Sequence, residues 1–340
     1  HPVDRRQRQM CIRDRDIGWQ AVGIAPIRKT HSGLVPVKGD GNFEWENYIE
    51  IIEKPNLFNP EKGYIATANQ NVTPQDYDRW DAIGYDWADP YRGNRVNNFL
   101  ESKDKFNMED MTNLQIDYYS IPSKQIIDMS KNYISNNPEY FKKLIEWNNI
   151  LDKNSIEAGI YIEWQTQIFY EFMKNHVPKS VQKYIDVQIY KVIEGISKMS
   201  DQEKTEFLNK TFDLTIKSLN EKYGDESSKW VYGQPDYKHV KIYHPLEKVV
   251  NDSIKEIIGL NTYPRGGDGY TPGSTSNELN QRSGGSFRVV INTKEWDNSF
   301  ATNSPGQSGD PKSKFYKNLY EDWANDNFFP LLYSKNKVLM

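Results

Sequence analysis

Several short patterns in this sequence place side chains as known chemistry would. Gly306-Gln307-Ser308-Gly309 sets a serine between glycines, as a nucleophile elbow does to expose a hydroxyl for acyl transfer, but Asp310 stands where the closing glycine belongs. Arg265-Gly266-Gly267-Asp268-Gly269 has the glycines of a phosphate-cradling turn, without the Gly-Lys-Ser/Thr that such a loop needs. Asp40, Asn42 and Glu44 alternate like calcium ligands, yet the central glycine that turns such a loop is missing. His239 and His244 stand five apart, whereas a helical zinc pair needs a spacing of four and a glutamate beside the first histidine. Each histidine therefore reads as a surface or packing residue. Cys11 is the single cysteine, so neither an intrachain disulfide nor a cysteine metal site is possible.

The elements that must position any site follow from periodicity and turn signals. Residues 17–24 are apolar with two glycines and read as a strand; residues 30–47, with four glycines or prolines, read as a loop. Residues 48–53 alternate weakly and suggest a short strand. Asn59-Pro60 and Gly63 mark a turn, after which Tyr64-Ile65-Ala66-Thr67-Ala68 reads as a short buried strand ending at Asn69-Gln70-Asn71. From Tyr91 the spacing turns helical through Val96, Phe99 and Leu100. Asn107 predicts an N-cap for the next helix, carried by Met108, Met111 and Leu114. Helical segments continue to about Leu219, among them a longer apolar and aromatic one at residues 160–173. Residues 222–235 and 259–285 read as loops. Phe287, Val289 and Ile291 alternate as a strand, and a last loop precedes an aromatic helix containing Trp323. Strands, a helical block, then strands is an α+β order, not the regular alternation of a doubly wound sheet.

Composition narrows the function classes. The 340 residues suffice for a large core. Lys and Arg number 43 against 47 Asp and Glu, which leaves no field to attract a polyanion, so no nucleic acid is expected. Mean hydropathy is -0.82 and no apolar run is long enough to cross a bilayer, so no membrane partner is expected. Aromatics reach 13%, which argues against disorder and brings a glycan-binding surface into consideration.

Residues 1–15 look foreign to the rest. Met10-Cys11-Ile12-Arg13-Asp14 is the translation of ATG-TGT-ATA-AGA-GAC, a transposase-end sequence used in building DNA libraries. The alternative is a basic, disordered tail. On the adaptor reading Cys11 is not part of the protein, and the gene continues upstream of Asp16.

A series of segments, in order, resembles the penicillin acylase family. It includes Gly18-Trp19, Ala25-Pro26-Ile27-Arg28, Gly33-Leu34-Val35-Pro36-Val37 and the telling stretch Asn59-Pro60-Glu61-Lys62-Gly63-Tyr64-Ile65-Ala66-Thr67-Ala68-Asn69. Tyr91-Arg92-Gly93-Asn94-Arg95-Val96 follows, then Leu144, Trp147, Ala158 and Trp164 in the helical region. Trp230, Gly233, His244-Pro245-Leu246, Gly267-Asp268-Gly269, Gly284-Gly285-Ser286-Phe287-Arg288 and Pro305-Gly306-Gln307-Ser308-Gly309 complete it. Each piece alone is weak; the ordered series is specific.

The resemblance implies an α+β fold, an incomplete N-terminal-nucleophile hydrolase sandwich (αββα) with a large helical insertion, spanning residues 16–340. Residues 16–90 would supply strands and the oxyanion segment, 91–222 the helical block, and 223–340 loops, strands and the C-terminal helix. In this family a serine exposed by precursor cleavage attacks an amide carbonyl. Its own α-amino group, titrating near about 7.7–8.0, serves as base. Asn69 matches the family's oxyanion-hole asparagine, whose amide offers N–H donors without a titratable charge; by itself Asn69-Gln70-Asn71 is also an ordinary turn. Arg92 matches an arginine that orients groups near the nucleophile, or else a helix-start arginine in a surface ion pair. Arg95 is assigned to structure. Asp81 matches a calcium position of some members, or else is a solvated carboxylate; a structural calcium is the one ion implied, and no other cofactor is.

The implied partners are an acylated small molecule, either a β-lactam side-chain amide or an N-acyl homoserine lactone, and the α-subunit and N-terminal part of the β-subunit from the same precursor. The implied location is bacterial, periplasmic or secreted. On this reading the 340 residues alone are inactive, having a donor but no nucleophile. Two rivals remain: a non-catalytic binding protein on the same scaffold, and an aromatic-rich glycan binder. The second requires exposed Trp and Tyr in a row, whereas the acylase-like reading buries Trp147 and Trp164 between helices.

Overall fold

The computed structural model describes residues 8–13, 16–185 and 187–339; the side chains of residues 8–13, Asp81 and Ala82 are outside that description. The adaptor-like stretch therefore falls partly outside the described residues. The chain divides into two compact units, His1–Gly93 and Asn94–Met340.

The first unit begins with β1 (Arg8–Arg13) and β2 (Asp16–Ala21), which pair antiparallel, Cys11 opposite Gly18. Short strands β3 (Pro26–Ile27) and β4 (Asn47–Tyr48) pair with each other, and β5 (Asn56–Phe58) joins the free edge of β2. Asn59 closes this edge from a left-handed backbone: its Oδ1 accepts from Ile17 N at 2.8 Å and its Nδ2 donates to Asp16 Oδ1 at 2.7 Å. Two expectations are corrected here. The strand proposed for residues 48–53 stops at Tyr48 and gives way to a 3₁₀ turn at Ile51–Glu53. Tyr64-Ile65-Ala66-Thr67-Ala68 forms no strand and is only half-buried or exposed; the strand of this region is the preceding β5. An apolar pentapeptide becomes a strand only where a neighbouring edge offers its ladder. The edge of β2 is taken by Asn56, Leu57 and Phe58. After the short α1 (Trp80–Ile83) comes α2 (Tyr91–Leu100), which begins within this unit.

The second unit opens on the helical block that the periodicity predicts: α3 (Met108–Gln115), α4 (Ile121–Ser130), α5 (Pro138–Glu146), α6 (Ile156–His176), α7 (Ile189–Ser197) and α8 (Asp201–Tyr223). Their starts are set locally. Asn107 and Asp110 form a capping box on α3, Ser200 and Glu203 another on α8, and Ser155 Oγ caps α6 by accepting from Ala158 N at 3.0 Å. The core between α5, α6 and α8 is aromatic: Phe141, Trp164 and Phe212 meet edge to face. Trp147 and Trp164 are buried, against the requirement of the glycan-binding rival. Gly159 lets the Trp230 carbonyl approach α6 so closely that a Cβ there would lie 1.9 Å from that oxygen.

Beyond α8 come β6 (His239–Val240), α9 (Asp252–Ile258), β7 (Tyr263–Pro264), β8 (Phe287–Val290), β9 (Phe300–Asn303), α10 (Tyr320–Ala324), β10 (Phe329–Pro330) and α11 (Lys335–Val338). The strands β8, β9 and β10 form an antiparallel sheet in the order β10-β9-β8. The inward face of β8 is the reverse of the one its apolar alternation predicts. Arg288 and Val290 are buried, while Phe287 is 59% exposed and Ile291 41%. Arg288 turns inward because charge and carbonyl partners wait there. The residues 259–285 are a loop, as expected, apart from the two residues of β7, and its stretch from Arg265 to Asp268 is buried, as are Thr271, Gly273, Thr275 and Gln281. Its carbonyls find donors: Tyr232 Oη on Gly267 O at 2.9 Å, and the Lys238 ammonium on the carbonyls of Thr275, Ser276 and Glu278 at 2.8, 2.9 and 3.0 Å. Among the described residues no helix is long and apolar enough to cross a membrane.

Candidate active site

Asn69 and Arg92 meet, although 23 residues separate them. Arg92 Nη2 donates to Asn69 Oδ1 at 2.8 Å. Asn69 is exposed and sits at φ 70°, in the left-handed region that asparagine visits more readily than bulkier residues. Its backbone carbonyl accepts from Ala88 N at 3.2 Å, which ties this turn to the segment leading into α2. The turn reading and the donor reading of Asn-Gln-Asn are thus compatible. What fixes Asn69 is this turn and the arginine, not the end of a buried strand.

The contact decides which way the carboxamide points. A guanidinium has only donors, so it must face the amide oxygen. The Nδ2 group, with two N–H donors, is directed away from it. Gln70 stabilises the same turn: its Oε1 accepts from Ala68 N at 2.6 Å. Its side chain lies against α2 where Gly93 leaves room, since a Cβ at Gly93 would come within 2.3 Å of the Gln70 amide carbon.

Arg92 is placed by the first turn of α2, and that turn by Asp89. The Asp89 carboxylate is buried and accepts from Tyr91 N at 2.9 Å. Burial raises its pKa above the ordinary 3.8, against the lowering effects of the Tyr91 N–H and the Arg92 charge. Burial likewise lowers the Arg92 pKa, and Asp89 offsets this. Each charge therefore helps keep the other ionised. An acid whose pKa is raised by folding holds its proton more tightly in the folded state. Its contribution to stability is present below 3.8 and is lost as pH rises through the raised value. An Asp89→Asn protein should show a flatter stability curve over that acidic interval, read by urea midpoints at stepped pH. It should keep the Tyr91 contact, whereas Asp89→Ala should lose about 0.5–2 kcal/mol with the cap.

Asp89 is the site residue that the sequence reading missed; the signal was Asp-Pro directly before a helical run. Arg95, assigned to structure, pairs through Nε with Asp117 Oδ2 at 2.7 Å, and its guanidinium lies over the Tyr119 ring. Asp81 falls in α1 and its side chain lies outside the described residues. Calcium takes six to eight oxygen ligands. Among the described residues no group of three or more His, Cys, Asp or Glu is placed to hold a metal. The remaining patterns are local structure. His239 is buried in β6, His244 Nδ1 accepts from Leu246 N at 3.1 Å, and Ser308 Oγ accepts from Asp310 N at 3.1 Å.

Comparison with known proteins gives this geometry its context. The penicillin amidase family profile matches residues 8–339. An acyl-homoserine lactone acylase, QuiP, of Pseudomonas aeruginosa is 22% identical over 93% of this chain and 43% of its own length. The penicillin acylase 2 proenzyme of Pseudomonas sp. (strain SE83) is 22% identical over 95% of this chain and 43% of its own. The chain thus spans less than half the length of these relatives. A solved thermostable penicillin G acylase from Alcaligenes faecalis superposes with a TM-score of 0.62 over 95% of this chain and 64% of that one, at 15% identity. The fold is accordingly that of an N-terminal-nucleophile hydrolase. With its family match running from residue 8 to residue 339, this chain belongs to the penicillin amidase family.

Proposed function

We propose that this chain is the part of an amidohydrolase that supplies an oxyanion donor, with Asn69 as that donor and Arg92 as the residue that orients it. The observation that carries this reading is the 2.8 Å contact from Arg92 Nη2 to Asn69 Oδ1, which commits the amide oxygen to the arginine and turns Nδ2 away from the guanidinium. When a nucleophile adds to an amide carbonyl, negative charge gathers on its oxygen. A donor already aimed at that position stabilises the charge without reorganising. Arg92 acts twice: it fixes the amide, and its positive charge lowers the energy of nearby negative charge.

The nucleophile in this proposal is an N-terminal serine from outside these 340 residues, delivered with an α-subunit and the start of the β-subunit from one precursor. The substrate is an acylated small molecule, an N-acyl homoserine lactone or a penicillin-type side-chain amide. The named activities of the relatives favour these two. The proposal places the protein in the periplasm or outside a bacterial cell, and allows one structural calcium to which Asp81 would contribute.

The test is hydrolysis of both amides by the protein expressed from its complete native gene. Asn69→Ala should lose about 10²–10³-fold in kcat, roughly 2.7–4 kcal/mol of transition-state stabilisation, with little change in melting temperature. Arg92→Met should lose less, because the amide remains but is no longer held. Full turnover in Asn69→Ala would sink the assignment, and no hydrolysis by the unmodified protein would favour a binding protein on the same scaffold.

A further inference from the structure

The hydrogen bond from Arg92 to Asn69 is exposed, so water competes for both partners and the contact alone holds the turn only weakly. A donor that is to act on a transition state must be kept within about 0.5 Å of its working position. Something besides the arginine has to fix the Asn69 turn against α2.

The next residue along each segment supplies it. Gln70 follows Asn69, Gly93 follows Arg92, and these two meet as well. A Cβ at Gly93 would lie 2.3 Å from Gln70 Cδ, 2.5 Å from Nε2 and 2.6 Å from Oε1. A point that is nearest the amide carbon and only slightly farther from its oxygen and nitrogen stands above the plane of the group. The Gln70 carboxamide therefore lies flat on the glycine, in the space that any side chain would fill.

Nothing else calls for glycine at this position. Gly93 is buried in the first turn of α2 and has no positive φ. Alanine would suit that backbone better, since glycine is the poorer helix former. What the glycine provides is room for Gln70. The same carboxamide reaches back along its own turn, where Oε1 accepts from Ala68 N at 2.6 Å. Asn69, at φ 70°, stands between the two residues that this one amide joins.

We propose that Gln70, seated on Gly93, is the positioning residue of the oxyanion donor: it sets the spacing between the Asn69 turn and α2, and with it the direction of Asn69 Nδ2. The inference rests on the reading of Asn69 as that donor. Gln70 itself touches no reacting atom; it acts through Asn69.

The test is a double-mutant cycle in the protein expressed from its complete native gene, with kcat, KM and melting temperature read for each variant. The methyl of Gly93→Ala would displace the Gln70 amide and shift Asn69. It should lower kcat by up to about 10²-fold with KM unchanged, because the lost interaction is made only in the transition state. Gln70→Ala introduces no clash and should lower kcat in the same way, which keeps the test open if Gly93→Ala does not fold. In the Gln70→Ala background, Gly93→Ala should cost no further activity and should raise the melting temperature, although it lowers it in the native background. An equal loss of kcat from Gly93→Ala with and without Gln70 overturns the proposal, as does a rise in KM alone. Impaired Asn69→Ala beside fully active Gly93→Ala and Gln70→Ala overturns it and leaves the donor reading standing. Full turnover in Asn69→Ala overturns the donor reading and this inference with it.

Discussion

Replacing Asp326 with alanine should cost about 3–5 kcal/mol of folding stability, the range for leaving a buried charge without its partner. The residue answers Arg265 at 2.8 Å and Tyr118 at 2.6 Å. Arg265 is all but inaccessible, so water cannot take over when the carboxylate goes. Alanine is further disfavoured because Asp326 sits at φ 61°. Asparagine tolerates that conformation and can still accept a hydrogen bond, so Asp326→Asn should recover part of the loss but not the charge. Denaturant midpoints with matched slopes measure both variants. A loss under about 1 kcal/mol for alanine would mean that the 18% exposure of Asp326 suffices for solvent to screen the pair.

Trp164→Ala should cost about 3–5 kcal/mol by a different mechanism, the opening of a cavity. The Trp164 ring is wholly buried, 5.1 Å from Phe212 and 6.0 Å from Phe141 in edge-to-face contacts, and its Nε1 donates to Thr211 Oγ1 at 3.1 Å. No neighbouring side chain can close that volume without breaking the packing of α6 on α8. Trp164→Phe keeps much of the ring and should lose clearly less. If the two variants melted together, the indole N–H rather than ring volume would be what Trp164 contributes. Neither residue belongs to the Asn69–Arg92 pair, so each change should act on the amount of folded protein.

Much of the helical block was legible because its causes are local. A side chain at Asn107, Ser155 or Ser200 can satisfy the first free N–H groups of a helix wherever the helix packs. A 3.6-residue apolar period likewise selects a buried face, and the family resemblance placed Trp147 and Trp164 inside, where both lie. The ordered motifs named the family, and with it the sandwich fold and the two residues of the candidate site.

The sequence by itself therefore determined the helices, the fold class, and Asn69 and Arg92 as residues to examine. Only the tertiary structure decided that those two touch, that the contact turns Asn69 Nδ2 away from the guanidinium, and that Asp89 stands behind Arg92. It also decided which apolar segment becomes a strand, since β2 has one free edge and Asn56–Phe58 takes it. And it reversed the faces of β8. Alternation records where hydrophobic side chains fall along a strand, but not that Asp326, Trp323 and the Gly273 carbonyl, all distant in sequence, would draw Arg288 inward. Hydrogen-bond partners and counter-charges are supplied by the fold, and a residue whose burial depends on them cannot be placed from its neighbours in the chain.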